Sequence, residues 1–232
     1  MSRRDRVRAA TTGEIKDTAR RILVAEGPEA VSLRAIAREM GMTAPALYRY
    51  FGSREDLLRH VCGDIFSEIA TGIRGAAAGA AEESGGDVTA KLIAACREFR
   101  HWALTHREEF GLLFGTPLPG LEALHNDKID DCALDFAGSW MTLFLELWQR
   151  HPFPVPAADQ IDPGLLAQLA RYVGGLGVDL PAGAVLTFLR CWVRLYGMVS
   201  LEVFQHLNFA LDDAAPLFEY TLAELAGLVG LD

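Results

Sequence analysis

Within the 232 residues there is no uninterrupted apolar run of about 18, so no segment reads as a membrane-spanning helix. The opening MSRRDRVRAATTG carries charge but no apolar core, which excludes a secretory signal there. Cysteine is scarce: Cys62, Cys96, Cys132 and Cys191 are widely spaced with no CxxC pair. Neither a disulfide framework nor a thiolate metal site is supported, and buried reduced thiols are expected. Among the histidines, His101 and His106 stand five apart, about 500° around a helix and off a common face, so no metal is expected. The acidic group Asp127, Asp130 and Asp131 reads as a solvated face. No phosphate-cradling glycine loop, nucleophile elbow or zinc-protease helix is present, so neither a cofactor nor catalysis is supported. No stretch reads as a convincing strand, and the expected fold class is all-α. A soluble cytoplasmic chain is the expectation.

Basic residues are also in the minority, 22 Lys/Arg against 31 Asp/Glu for a net charge of −9. That balance argues against a nucleic-acid partner only if the charge is evenly spread. It is not: residues 1–61 hold 12 Lys/Arg against 8 Asp/Glu, and the rest hold 10 against 23. One basic module on an acidic body is implied. Half the residues are hydrophobic, enough for a sizeable core in one or two domains.

The stretch SLRAIAREMGMTAPALYRYFGSR, residues 32–54, organises the chain. Leu33, Ile36, Ala37 and Met40 recur at helical spacing, with Ser32 as N-cap and Gly41 where a left-handed C-cap is cheapest. Thr43 then restarts a helix with Pro45 in its first turn and Leu47 and Phe51 as the buried seam; Gly52-Ser53 stop it and cap the next. Two short helices joined by a tight turn form a helix-turn-helix, a geometry suited to a DNA groove. Upstream, Ile15, Ala19, Ile22 and Leu23 form a bracing helix that Thr12 could cap and Gly27-Pro28 ends. Arg3, Arg4, Arg6 and Arg8 read either as a solvated tail or as an arm that neutralises phosphates or enters the minor groove.

Downstream, Leu57, Leu58, Val61, Ile65, Ile69 and Ile73 continue a long fourth helix, a natural lever, which dissolves into the Ala/Gly run at 75–87 with Gly85-Gly86 as the break. Further helices are expected over 87–105 and 106–114, about 121–150 after the turn GTPLPG, and 163–172. Two more are expected, one started by Asp179-Leu180-Pro181 and reading to about Leu207, the other from 213 or 214 to 228. The proline-rich 151–159 segment is a linker.

The combination LRAIAREMGM with T-x-x-x-LYRYFGSREDLL resembles the DNA-binding domain of TetR-type transcriptional regulators, over residues 10–61. REFRHWALTHREEFGLLFG and WVRLYGMVSLE resemble the C-terminal domain of the members named for a Trp-His-Gly signature; Trp192 and Gly197 fit it, while Tyr196 stands in the histidine position. The resemblance implies a head over residues 1–61, a ligand-sensing and dimerisation domain over 62–232, and double-stranded operator DNA as partner. It places Ser32, Thr43, Tyr48, Tyr50 and Arg54 on phosphates or bracing the reading helix. Ala44, Pro45 and Ala46 begin that helix without a side-chain hydrogen-bonding group, so they can only rest against thymine methyls. Arg34, helped by Arg49 or the N-terminal arginines, is the expected base reader. The resemblance also implies a small apolar or amphipathic effector. Its candidate lining is Trp102, Phe110, Phe114, Phe136, Trp140, Phe144, Trp148, Trp192 and Tyr196, which plain core packing would explain equally. A homodimer through the last two helices is implied, with a palindromic operator. A constitutive or protein-switched regulator, and a helical enzyme or carrier that has kept a vestigial head, remain the alternatives.

Overall fold

The computed structural model describes residues 2–115 and 128–231, and among these every regular element is helical. The helices are α1 (Arg3–Glu26), α2 (Leu33–Glu39), α3 (Ala44–Leu47), α4 (Arg54–Ser84), α5 (Val88–Thr105), α6 (Arg107–Phe114), α7 (Lys128–Arg150), α8 (Pro163–Leu176), α9 (Ala182–Val203) and α10 (Ala215–Leu228). The expected turn at 115–120 and the start of the long helix at 121–127 lie outside the described residues beyond Gly115. The chain forms two compact units, Met1–Gly72 with Trp102–Ser139, and Ile73–His101 with Trp140–Asp232. Helices α4, α5 and α7 each contribute residues to both.

Two expectations are corrected at helix ends. Thr12 does not begin the first helix, and residues 2–10 are neither tail nor extended arm. Ser2 and Asp5 form a capping box, with Asp5 N–H donating to Ser2 Oγ at 3.1 Å, so α1 runs unbroken from Arg3. Thr12 Oγ1 instead donates to the carbonyl of Arg8 within it, at 2.9 Å. Nor does α4 dissolve at the Ala/Gly run: alanine is the best helix former and offsets the cost of Gly75 and Gly79. The helix ends only where Gly85 and Gly86 take φ of +68° and +90°.

In the first unit, Ile15, Ala19, Ile22 and Leu23 of α1 are buried, as are Ile36, Leu47, Phe51, Leu57 and Leu58. Across this unit Arg20 bridges two carboxylates, Glu68 Oε2 at 2.6 Å and Glu109 Oε1 at 3.1 Å, and Trp102 Nε1 donates to Glu68 Oε1 at 2.8 Å. The hydrogen bond from Arg20, with a smaller one from Trp102, holds the Glu68 carboxyl below its ordinary value of 4.5 against the opposing effect of burial. A carboxylate depressed in this way adds stability above its ordinary pKa and loses it as pH falls through the lowered one. Arg20→Ala leaves the buried Glu109 without its cation. Because the arginine is partly solvated, the expected loss is about 2–3 kcal/mol rather than the ~3–5 of a fully buried pair. Denaturant melts should show that loss near neutral pH and a smaller one in acid.

In the second unit the core is built from Phe144, Leu147, Phe153, Leu169, Leu180, Ala184, Val185 and Val229. Asp162 caps α8, its carboxylate accepting from Leu165 N–H at 3.0 Å, and Pro163 takes the first position. α8 passes through Gly174 and Gly175 and stops at Gly177, whose φ is +65°. By length and composition α9 could cross a membrane. It also carries Arg190, Arg194 and Glu202, and it buries Ala184, Val185, Leu195, Val199 and Val203 in the protein, as a bundle helix does.

Candidate nucleic-acid interface and apolar cavity

The helix pair α2–α3 follows from its caps. Ser32 is extended, and its Oγ accepts from Ala35 N–H at 3.1 Å. After Met40 the chain turns with Met42 N–H on Ala37 O at 2.8 Å and Gly41 N–H on Arg38 O at 3.3 Å. That paired closure needs the left-handed φ of +65° at Gly41. Thr43 takes the N-cap backbone position of α3 but makes no side-chain capping bond, so its hydroxyl stays at the surface. α3 proper ends at Leu47, and Tyr48–Tyr50 close it as turns.

Burying Leu33, Ile36, Ala37, Leu47 and Phe51 leaves Arg34, Thr43, Pro45, Tyr48 and Arg49 exposed, with Ser32, Ala44, Ala46 and Tyr50 half-buried. Sequence reasoning missed a brace: Arg8 Nη2 donates to Arg49 O at 3.3 Å, and its guanidinium lies 5.5 Å from the centre of the Tyr50 ring. The helical phase of α1 aims Arg8 at this point, and that phase was invisible while residues 2–10 read as a tail or arm. The structure places the Arg54 guanidinium on protein carbonyls, Nε on Val31 O at 2.8 Å and Nη2 on Pro28 O at 2.7 Å. It ties the start of α4 to the segment before α2.

The candidate effector aromatics divide. Trp102 is spent on Glu68 and stacks on His106, with ring centroids 4.9 Å apart. Phe110, Phe114 and Phe136 cluster with Phe66 in the first unit, at centroid distances of 4.9 to 6.0 Å. Trp140, Phe144 and Trp192 instead share the wall of a cavity of about 90 Å³ in the second unit. Tyr196 stacks on Trp192 at 5.6 Å without lining it, and Trp148 packs on Phe153 at 5.0 Å. One water needs roughly 10–15 Å³, so this space is several times what a single water requires.

The cavity wall also draws Leu92 and Cys96 from α5, Phe188, Cys191 and Leu195 from α9, and Leu222 and Leu225 from α10. These sit on stripes the sequence marks as core; which core positions border a gap depends on how four helices meet. Burial pushes the Cys96 thiol up to about 12 and the Cys191 thiol up to about 11. The buried indole N–H of Trp140 meets no acceptor among the described residues. Cys62 and Cys96 are buried as expected, whereas Cys132 and Cys191 keep partial exposure. No group of three His, Cys, Asp or Glu among the described residues is placed to hold a metal ion.

A two-helix reading unit braced by a longer helix is a helix-turn-helix head, carried here by an all-helical body. Residues 15–61 match the family described as bacterial regulatory proteins, tetR family, and residues 92–225 match the family described as tetracyclin repressor-like, C-terminal domain. The chain therefore belongs to the TetR family. It is 38% identical over 121 residues to the HTH-type transcriptional regulator Rv1816 of Mycobacterium tuberculosis, which covers 52% of this chain and 50% of that protein. The chain thus matches about half the length of its curated relatives. A crystal structure of the regulatory protein SCO4313 is 31% identical, with a TM-score of 0.74 over 97% of this chain and all of that one. The fatty acid degradation regulator FadR from Bacillus halodurans shares the fold alone, at 16% identity and a TM-score of 0.58 over 95% and 93% of the two chains.

Proposed function

We propose that the protein is a dimeric, effector-responsive transcriptional repressor, with residues 1–61 as its DNA-binding head and 62–232 as its sensing and dimerisation domain. The observation that carries this reading is the exposed set Arg34, Thr43, Tyr48 and Arg49 on a helix pair whose apolar seam is fully occupied. Thr43 and Tyr48 offer hydroxyls to phosphate oxygen, and the exposed arginines of α1 add cations that suit phosphates rather than a threaded minor groove. Arg34 is the hydrogen-bonding base reader, since Ala44, Pro45 and Ala46 have no side-chain donor. Arg8 holds Arg49 and Tyr50 in place.

Arg34→Ala should relax preference at one base pair per half-site, worth about 1–3 kcal/mol, and leave non-specific binding nearly intact. Arg54→Ala should weaken every sequence alike and lower the melting temperature, because it releases Val31 and Pro28. Competition binding on operator variants separates the two; equal losses on specific and random duplex for Arg34→Ala would make it a phosphate contact only.

The dimer forms through α9 and α10, where Val193 and Leu201, with Phe204 just past the end of α9, make one exposed stripe and Leu217 and Tyr220 another. The effector occupies the cavity. A ligand preferring one arrangement of its walls shifts the population toward that arrangement and releases the operator. Because α5 and α7 line the cavity and also contribute residues to the first unit, they, with α4, are the levers.

A further inference from the structure

We infer that the two copies of α9 in the dimer run antiparallel and cross at Gly197, which sets Val193 of each protomer against Leu201 of the partner subunit. The inference rests on reading α9 and α10 as the dimer surface, and adds the point where the twofold axis falls. Three observations carry it. The first is a glycine that the protomer itself does not need. Gly197 lies inside α9, where alanine is the better helix former. A methyl group in place of its hydrogen would meet nothing within 4 Å among the described residues beyond the helix's own backbone.

The second observation is what flanks it. At about 100° per residue, the positions four before and four after Gly197 stand about 40° to either side of it, on one i±4 ridge. Those positions are Val193 and Leu201, 66% and 43% exposed. Gly75, Gly79, Gly138, Gly174 and Gly175 are also open helical glycines, yet none has exposed large apolar side chains at both of these positions. A ridge with a gap at its centre and equal apolar reach on both sides is self-complementary. A twofold at the gap lets the two helix axes approach closely and lays each valine on a leucine. The third observation is charge: Arg190 and Arg194 are exposed on the same side of α9. Parallel helices would set each arginine beside its own copy. An antiparallel crossing at Gly197 separates the copies along the axis by about 21 Å for Arg190 and about 9 Å for Arg194, at about 1.5 Å per residue.

Cysteine pairing and sedimentation of the full chain test this. Val193→Cys and Leu201→Cys, coexpressed and oxidised, are expected to give a disulfide-linked dimer that neither variant forms alone, with the unsubstituted protein reporting any link through the natural cysteines. Gly197→Ala should raise the melting temperature of the dilute protomer yet weaken the dimer about tenfold, opposite signs that a purely internal role does not produce. Gly197→Leu should weaken the dimer at least about 100-fold. Links within either cysteine variant alone, or no mixed link in a preparation that sediments as a dimer, overturn the crossing and leave the dimer reading standing. So does a Gly197→Ala or Gly197→Leu protein that associates as tightly as the unsubstituted one. An unsubstituted protein that stays monomeric at every concentration overturns the dimer reading along with it.

Discussion

Val193→Glu combined with Tyr220→Glu is expected to convert the proposed dimer to a monomer and to lower operator affinity about 10²–10⁴-fold. Val193 is 66% exposed and Tyr220 74%, unusual for apolar and aromatic side chains on two helices that pack together. Val193 and Leu201 fall on one side of α9, with Phe204 just past its end, while Leu195, Val199 and Val203 point elsewhere and are buried. A carboxylate in the centre of a joined apolar face would be desolvated without a partner, so association fails while the protomer's own core is untouched. The loss on DNA is large because a twofold dimer delivers its second head at high effective concentration, and a monomer forfeits that gain. Light scattering and operator titration should change together, with the melting curve of the dilute protein little altered. Monomers that keep full operator affinity would remove symmetry from the mechanism.

Leu47→Ala should cost about 2–5 kcal/mol and abolish specific binding. α3 spans only Ala44–Leu47, too short to stand on its own hydrogen bonds, so its position depends on the fully buried Leu47. Deleting the side chain loses its burial and leaves a hole beneath the residues that face solvent at Tyr48 and Arg49. Leu47→Met, which keeps the volume, should cost under about 1.5 kcal/mol and retain binding. Hydrogen exchange at residues 44–51 would locate the damage; protection there unchanged in Leu47→Ala would show that the seam does not hold the helix.

What could be read in advance followed local chemistry. Ser32, Gly41, Pro45 and Leu47 each act within a few residues, and the α2–turn–α3 unit appears where they place it. Asp162 and Pro163 likewise open α8. The start of α1 was missed because a two-residue capping box at Ser2 and Asp5 sits among charges that look like a tail. The persistence of α4 through Gly75 and Gly79 was missed because its alanines offset them. Arg54 resembles a phosphate donor by position, yet two carbonyls brought close by the fold take its guanidinium. For the aromatics, helical spacing says buried but not against what. Trp102 and Trp140 look alike in sequence; only the meeting of distant segments gives the indole of one a carboxylate and leaves the other's without an acceptor among the described residues.

Footprinting the purified protein on the DNA upstream of its own gene, at low and moderate salt, bears most directly on the proposed docking of two basic heads. Two protected half-sites, related by a twofold and separated by one helical turn or a multiple of it, are the predicted result. Uniform absence of protection on that region and on every other duplex offered, even in dilute buffer, would contradict it.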